Sequence, residues 1–408
     1  MPGTLANRLR LIRETGGAEG ERRDSPAGKT VFRAGDGESA ARALPEALNA
    51  GGWVSTGFFS ARRTVTRDSD PRYRQAMPPP GTPFPRVLPV LVPGVFRYLA
   101  VPAARGELYA EDLLFFDLET SGLSTAAGTV AFLAAFGRFV PDAGEGREKG
   151  WRFRIDQHIM LDFPGENDFL AAALHELYGA REGRPPLLVT YNGKTFDLPI
   201  MRNRALFSGI FLPEPCHADL LHPARRLWRR MLPSCSQRVI EEEILGLDRE
   251  GDVPGAEAPD IWFQFLKTGA ADRLCLVADH NLRDIAGLAV LFTAFADIAA
   301  RPLAAPERYR CDPEALALCW RRSRRQEGFT VDGTDRETEN ALMENAARSG
   351  WPRAVTILAI EAEWRERNAV KALALVERTL ARDGIGGAFR ESLLCRRERL
   401  LRKTRRGG

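Results

Sequence analysis

The sequence predicts an α/β fold with a mixed sheet flanked by helices, followed by a small all-helical region at the C-terminal end. Between residues 111 and 300, short apolar runs typical of buried strands alternate with segments of helical spacing. Over about the last hundred residues, apolar side chains recur at intervals of three and seven, as in packed helices. The length of 408 residues allows two or three domains.

Residues 1–85 are expected to form a basic and largely irregular arm. Gly, Ser and charged residues dominate its first half, and the prolines of positions 78–85 exclude a helix or a central strand. Positions 53–65 have a strand-like composition without an evident partner. We therefore expect the arm to be followed by an α/β domain at 86–302 and a helical region at 303–408.

The α/β domain is predicted from a regular succession of apolar runs and amphipathic segments. The run Leu113–Phe116 is typical of a strand buried on both faces. Further strands are expected at positions 129–140, 153–163 and 185–191, and helices at positions 166–178, 194–207, 236–245, 258–268 and 278–300. Strands that alternate with helices in this way indicate a mixed sheet covered by helices.

The C-terminal region is predicted to be a set of amphipathic helices. Apolar side chains recur at helical spacing over 355–362 and again over 373–380, with a short polar turn at 366–368 between them. Two helices joined in this way are similar to the antiparallel pairs of helical-repeat proteins, so we expect a TPR-like arrangement. Positions 396–406 hold seven basic residues and one acidic residue, which predicts a basic helix.

The formal net charge of +4 conceals an uneven distribution along the chain. Residues 1–110 carry +6, residues 111–300 carry −9 and residues 301–408 carry +7. One interpretation is that central carboxylates hold cations while the basic flanks contact a polyanion such as nucleic acid. The alternative is an ordinary drift of surface charge along a long chain.

The composition excludes several classes of protein. A chain with 44% hydrophobic and 27% charged residues is globular, which excludes wholesale disorder and fibrous folds. The apolar stretch at 285–296 is shorter than the roughly 20 residues of a membrane span, so we expect no membrane partner. Six cysteines without a CxxC pair favour a reducing compartment, and we expect a cytoplasmic location.

The sharpest functional signal is a pair of acids at the end of the first apolar run. Successive strand side chains alternate between faces, so Asp117 and Glu119 point to the same side. Two neighbouring carboxylates repel each other unless a cation lies between them, and hard divalent cations prefer oxygen ligands. The alternative is a pair of solvated acids at a strand end.

Two further motifs add titratable groups. Asp197 is expected in the first turn of a helix, where the helix dipole favours a carboxylate, so helix stabilisation is its alternative role. His280 and Asp284 lie four residues apart on a helix and share a face. Nearby aromatic, polar and basic side chains are candidates for contacts with nucleic acid, with core packing or a solvated surface as the alternative. These candidates are Tyr191, Asn192, Lys194, Phe196, Arg225 and Arg229.

Over roughly residues 112–295, the three motifs in this order resemble those of the DEDD exonucleases of the ribonuclease H-like superfamily. The stretches 217–223, 232–236 and 253–255 are similar to the bacterial YprB-type branch. The resemblance implies a ribonuclease H-like sheet and, position by position, assigns four metal-binding acids and a residue that positions water. The acids are Asp117, Glu119, Asp197 and Asp284, and the water-positioning residue is His280.

The resemblance implies a metal-dependent 3′–5′ exonuclease that hydrolyses phosphodiester bonds of DNA or RNA at single-stranded or frayed ends. Two Mg²⁺ or Mn²⁺ ions would activate water and stabilise the leaving oxygen. Asp117 would bridge both ions, Glu119 and Asp284 would complete one, and Asp197 would hold the other. His280 would orient or deprotonate the water, although it lies four residues before Asp284, as in the Tyr-type subclass, rather than the usual five.

Two other functions stay open at this point. One is a structure-selective endonuclease on the same fold. The other is a catalytically silent protein that binds nucleic acid or serves as a scaffold, with the C-terminal helices contacting a protein partner.

Overall fold

The computed structural model describes residues 44–68, 77–101, 106–122, 128–142, 150–179, 184–323 and 333–406. Residues 1–43, about half of the expected arm, lie outside the described residues. The chain divides into two compact units. Of the described residues, those up to 222 and those of 240–296 form the first unit, and those of 223–239 and those from 297 onward form the second.

A seven-stranded mixed sheet forms the centre of the first unit. In chain order its strands are β1 Val54–Gly57, β2 Ser60–Asp68, β3 Leu113–Thr120, β4 Ala131–Pro141, β5 Trp151–Met160, β6 Leu187–Thr190 and β7 His217–Asp219. Their order across the sheet is β1-β2-β5-β4-β3-β6-β7. The pairs from β1 to β3 are antiparallel, whereas β3–β6 and β6–β7 are parallel. The predicted mixed sheet is therefore confirmed.

The strands β1 and β2 lie within the segment that was expected to be an irregular arm. Strand β2 pairs with β5 along its whole length, from Ser60 opposite Met160 to Asp68 opposite Arg152. Residues 54–68 therefore belong to the sheet. Their partner strand lies about 90 residues further along the chain, as the separation of 94 between cross-strand neighbours shows, and local sequence patterns do not specify pairing at that range.

Among the described residues up to 300, five helices overlap the predicted positions 166–178, 194–207, 236–245, 258–268 and 278–300, and four others lie outside them. In chain order these helices are α1 Glu46–Ala50, α2 Leu88–Leu91, α3 Gly94–Leu99, α4 Glu166–Tyr178, α5 Asp197–Phe207, α6 Leu221–Trp228, α7 Gln237–Ile240, α8 Ala258–Thr268 and α9 Asp272–Ala300. A π-helical turn, Glu241–Leu245, continues α7. Single 3₁₀ turns lie at Ala110–Asp112, Phe163–Gly165 and Gly255–Glu257.

Helices cover both faces of the sheet. On one face α9 packs against β3, where the Phe115 and Phe292 rings lie 6.1 Å apart edge to face. On the opposite face the Phe132 ring of β4 stacks on Trp262 of α8 at 5.1 Å. Burial of such rings contributes strongly to core stability, so the position of α9 on the sheet is well determined.

The second unit is helical. Its later helices are α10 Ala305–Arg308, α11 Pro313–Ser323, α12 Gly333–Arg348, α13 Pro352–Ile360, α14 Ala369–Leu380 and α15 Gly387–Arg406, with a π-helical turn at Glu361–Arg365. Consecutive helices from α11 to α15 pack against one another, which confirms the helical C-terminal region. Among the described residues, no helix has the length and apolarity needed to cross a bilayer.

Candidate metal centre

The three sequence motifs meet in one cavity of the first unit, with a volume of about 220 Å³. The lining consists of Asp117, Leu118, Glu119, Thr120, Tyr191, Asn192, Phe196, Asp197, Gly255, Pro259, His280 and Asp284. All five residues that the resemblance assigns to catalysis are therefore neighbours in space, although up to 167 positions separate them in the chain.

The end of β3 places the first two acids. Strand β3 pairs with β6 from Leu113 to Phe115, and the next inward position on the same face is Asp117. Glu119 follows two positions later, so both carboxylates line the cavity just beyond the paired stretch. The side chain of Asp117 is half-buried, and only 8% of Glu119 is exposed.

The turn after β6 is held by a carboxylate outside the cavity. Asp219 accepts hydrogen bonds from the backbone N–H groups of Asn192 at 2.9 Å, Lys194 at 3.1 Å and Leu221 at 3.0 Å. Asn192 has a φ of 66°, a left-handed conformation that Asn adopts more readily than most residues. This local hydrogen bonding is the role that Asp219 has in the structure.

Close packing at the same turn requires a glycine. A β carbon at Gly193 would lie 2.5 Å from Thr190 Oγ1 and 2.6 Å from Thr190 Cβ. The chain then enters α5, whose first residue is Asp197; the helix begins three positions after the predicted start at 194, and Asp197 lies in its first turn, as the sequence predicts. The turn therefore brings the Asp197 carboxylate to the cavity from the strand next to β3.

Helix α9 supplies the third motif. His280 Nε2 lies 3.3 Å from Asp284 Oδ2, one helical turn away. Glu119, His280 and Asp284 each offer one ligand atom, and these atoms lie within 4.8 Å of one another. Carboxylate oxygens with one imidazole nitrogen form a donor set that suits Mn²⁺, and the carboxylates alone suit Mg²⁺.

The electrostatics of the cavity are those of crowded, buried acids. Burial, and then the carboxylates of Asp284 and Asp197, raise the pKa of both Asp117 and Glu119. Burial also raises the pKa of Asp197 to about 7. Burial and repulsion among like charges disfavour the ionised forms, and a bound divalent cation would favour them. The residues present therefore fit a divalent metal.

A buried arginine that the sequence analysis missed contacts the third motif. Arg249 donates from Nη2 to Asp284 Oδ1 at 2.5 Å, and its Nη1 donates to Asp252 Oδ2 at 2.9 Å. The same guanidinium pairs with Glu241, which is fully buried. Asp252 also faces His280, with 2.9 Å between Asp252 Oδ2 and His280 Nδ1. The sequence signal that was available for this cluster is the position of Asp252 directly before the motif-like stretch 253–255.

A second missed group contacts Asp117. Asn281 Nδ2 donates to Asp117 Oδ2 at 2.7 Å, and Gln157 Nε2 donates to Asn281 Oδ1 at 3.0 Å. Both amides are fully buried. The available signal was the alternation of β5, in which Gln157 interrupts an otherwise apolar inward face.

The structure separates the candidate nucleic-acid contacts into two groups. Tyr191, Asn192 and Phe196 line the cavity. Lys194, Arg225 and Arg229 are exposed and do not belong to the lining. Arg225 and Arg229 are part of the second unit, because residues 223–239 cluster with it.

The central segment is similar in sequence to known proteins. Residues 114–296 match the family model RNase_H_2, described as RNase_H superfamily. The central segment is therefore similar to the RNase H superfamily. The chain is also 38% identical over 184 residues to "Uncharacterized protein YprB" of Bacillus subtilis (strain 168). That alignment covers 44% of this chain and 41% of the relative, so less than half of either protein is matched.

The matched segment carries the whole lining of the cavity. It begins within β3 and ends within α9, and it includes the turn after β6. Strands β1 and β2 lie before it and complete one side of the sheet.

Proposed function

We propose that the protein is a metal-dependent 3′–5′ exonuclease that hydrolyses phosphodiester bonds of DNA or RNA. The observation that carries the proposal is the convergence of Asp117, Glu119, Asp197 and Asp284 on one cavity. The RNase H superfamily match of the same segment supports a nuclease that acts on nucleic acid.

The proposed cofactors are two Mg²⁺ or Mn²⁺ ions. Asp117 would be shared between them, Glu119 and Asp284 would hold one, and Asp197 would hold the other. Such ions polarise the phosphoryl group, activate water and stabilise the leaving oxygen. The raised pKa values of Asp117 and Glu119 support this assignment, because crowded carboxylates are stabilised by a cation.

In this proposal His280 orients the attacking water and accepts its proton at Nε2. That nitrogen is 3.3 Å from Asp284 Oδ2, and Gly255, which has no side chain, leaves space beside it in the cavity. Asp252 lies 2.9 Å from the other ring nitrogen and restrains the ring. A positioned general base contributes about 10²–10⁴-fold to the rate.

The proposed substrate is a single-stranded or frayed end. Tyr191 and Phe196 line the cavity and are partly exposed, and in this proposal their rings stack on bases. Stacking on an aromatic ring requires an unpaired base, which favours single strands over duplex. Asn192 adds a polar side chain to the same lining.

The basic helix α15 has less free charge than its composition indicates. Arg396, Arg399 and Lys403 all lie close to the buried carboxylate of Glu363, and Arg397 pairs with Glu377. We therefore assign to α15 a weaker electrostatic contribution to nucleic-acid binding than the seven basic residues alone would give.

A protein partner bound through a TPR-like arrangement of these helices, and a cytoplasmic location in keeping with the six free thiols, stay predictions.

The proposal is tested with 5′-labelled single-stranded DNA and RNA and with a closed circular single strand, each incubated with Mg²⁺ or Mn²⁺. We expect a ladder of labelled products that shorten from the 3′ end, slowed by phosphorothioate linkages at that end, and intact circles. Cleaved circles would indicate the endonuclease instead. Binding of either polymer without hydrolysis would indicate the silent binding protein, and both outcomes would overturn the exonuclease proposal.

A further inference from the structure

A continuous chain of hydrogen bonds, buried except for its last and partly buried member, connects strand β2 with the first metal-ligand candidate. It begins at Arg63, passes through Gln157 and Asn281, and ends at Asp117 Oδ2. Arg63 lies before the segment that matches the RNase H superfamily, whereas the other three residues lie within it. This chain of hydrogen bonds therefore joins strand β2, which lies outside the matched segment, to the cavity.

The register of the sheet explains why the connection needs a side chain from α9. Arg63 is opposite Gln157, Gln157 is opposite Ala135, and Ala135 is opposite Asp117, so four neighbouring strands contribute one row. Strands are spaced about 4.8 Å apart, which places Gln157 roughly 10 Å from Asp117 across β4. The small side chain of Ala135 leaves space above β4, and Asn281 of α9 bridges the gap there.

The groups at the two ends of this chain of hydrogen bonds determine which atom donates and which accepts in each of them. Arg63 can only donate, and its Nε and Nη2 reach Gln157 Oε1 at 2.9 and 2.7 Å. The backbone carbonyl of Ala278 can only accept, and it receives a hydrogen bond from Gln157 Nε2 at 2.7 Å. Gln157 Nε2 therefore also donates to Asn281 Oδ1, which leaves Asn281 Nδ2 as the donor to Asp117.

Arg63 itself is held in place by three kinds of contact. Besides Gln157, its Nη2 donates to Asp279 Oδ1 at 2.9 Å, and its guanidinium lies 5.1 Å from the centre of the Trp53 ring. The Trp53 side chain is almost completely buried. Such packing restricts the guanidinium to one orientation, which in turn restricts the amides that depend on it.

We propose that Arg63, Gln157 and Asn281 are positioning residues that orient the Asp117 carboxylate for metal binding. The proposal rests on the proposed function, since it treats Asp117 as a metal ligand. Residues that hydrogen-bond to a ligand orient it, and substitutions of them cost about 10–100-fold in metal affinity or activity. By this proposal, strand β2 contributes to the metal centre, although it lies outside the matched segment that carries the ligands.

The test uses the full-length protein and two variants that nearly preserve side-chain volume. Gln157→Glu keeps an acceptor for Arg63 but removes the donor to Asn281, so Asn281 must turn its amide and present Oδ1 to Asp117. Asn281→Leu removes the donor to Asp117 directly. The matched control is Thr64→Val. Thr64 Oγ1 donates a hydrogen bond to Asp156, also between β2 and β5, but on the opposite face of the sheet. This hydrogen bond does not belong to the series that ends at Asp117.

The main readout is the dissociation constant for Mn²⁺, measured from the free Mn²⁺ signal by electron paramagnetic resonance at constant pH. We expect it to rise about 10–100-fold in Gln157→Glu and Asn281→Leu and to stay within about twofold of wild type in Thr64→Val. Hydrolysis by the two variants should recover at saturating Mn²⁺ with KM for the nucleic acid unchanged. A purely structural role would lower stability without moving the metal dependence.

The possible outcomes separate this proposal from the proposed function. Wild-type Mn²⁺ affinity in both variants would overturn the positioning role even if the wild type is an active exonuclease. If the wild type binds Mn²⁺ tightly but hydrolyses nothing, the exonuclease proposal is overturned. The Mn²⁺ affinities of the wild type and the two variants then still decide the positioning role. A wild type that binds no Mn²⁺ would overturn both.

Discussion

Arg249 Nη2 lies 2.5 Å from Asp284 Oδ1, so a candidate metal ligand is held by a buried guanidinium. The same arginine contacts Glu241 and Asp252, which are themselves buried. Three acids therefore share one cation of the protein at the side of the cavity. This arrangement neutralises part of the negative charge and fixes Asp284 before any metal binds.

The buried arginine makes a prediction about stability. Arg249→Met removes the guanidinium that pairs with the fully buried carboxylate of Glu241, and breaking a buried ion pair in this way costs about 3–5 kcal/mol of unfolding free energy. The measurement is urea unfolding in EDTA, followed by tryptophan fluorescence.

The matched control is Arg273→Met. Arg273 pairs with Glu257 at 2.7 Å, but both side chains are about half exposed, and pairs of this kind contribute about 0–1 kcal/mol. Equal losses of stability in the two variants would contradict the structural role assigned to Arg249.

The raised pKa of Asp197 makes a prediction about pH. Its folded-state pKa is about 7, against an ordinary value of 3.8, so between these values the folded protein binds more protons than the unfolded chain. Stability conferred by protonation is then lost as the pH rises, with a slope of up to about 1.4 kcal/mol per pH unit. In EDTA the wild type should therefore lose stability relative to Asp197→Asn between about pH 4 and 7.

Comparison with Asp197→Asn is needed because other groups titrate in the same range. Burial lowers the pKa of His217 to about 4. As the pH falls, this group therefore lowers the stability of the fold, whereas Asp197 raises it. Saturating Mn²⁺ should stabilise the wild type more than the variant, because the cation binds the ionised carboxylate of Asp197. A difference that does not change with pH would refute the raised pKa.

The close approach at Gly193 predicts a loss of activity from a single methyl group. In Gly193→Ala the new β carbon must displace Thr190 or the turn itself, which moves Asp197. Because a displacement of about 1 Å in an active site can cost 10²-fold, we expect kcat/KM to fall by about that factor. Gly128→Ala is the control, since a β carbon there meets no atom within 4 Å. Equal activities in the two variants would contradict this account of the turn.

Much of the fold was predictable because its signals are local. The apolar run of β3, the amphipathic spacing of α4 and the place of Asp197 in the first turn of α5 follow from short stretches of sequence. Two pairs of site residues were predictable for a similar reason. Alternation in β3 places Asp117 and Glu119 on one face of the strand, and helical spacing in α9 places His280 and Asp284 on one face of the helix.

The supporting residues were not predictable because their partners are remote. Gln157 is 94 positions from Arg63 and 124 positions from Asn281. The pairing of β2 with β5 brings Arg63 to Gln157, and the packing of α9 on the sheet brings Asn281 to Gln157. Arg249 resembled any surface arginine in sequence, and its burial depends on how the chain returns from the π-helical turn to α8. Long-range pairing, rather than local propensity, determines these contacts.

The contact between Asp252 and His280 predicts non-additive kinetics. His280→Gln should lower kcat by about 10²–10⁴-fold if His280 is the general base. Asp252→Asn should lower kcat in the wild type but have little further effect in His280→Gln, since Asp252 then has no base to restrain. A double-mutant cycle measures the coupling, and additive effects would contradict a shared role.

The central claim is that four acids form one catalytic metal centre. The most direct measurement is Mg²⁺- or Mn²⁺-dependent hydrolysis of end-labelled single strands by the wild type, Asp117→Asn and Asp284→Asn, with Asp260→Asn as the control. Asp260 is an exposed acid of α8 outside the cavity lining. We predict metal-dependent hydrolysis by the wild type and the control, and at least a 10²-fold loss in both site variants. Full activity in Asp117→Asn and Asp284→Asn, or no hydrolysis by the wild type with either metal, would contradict the claim.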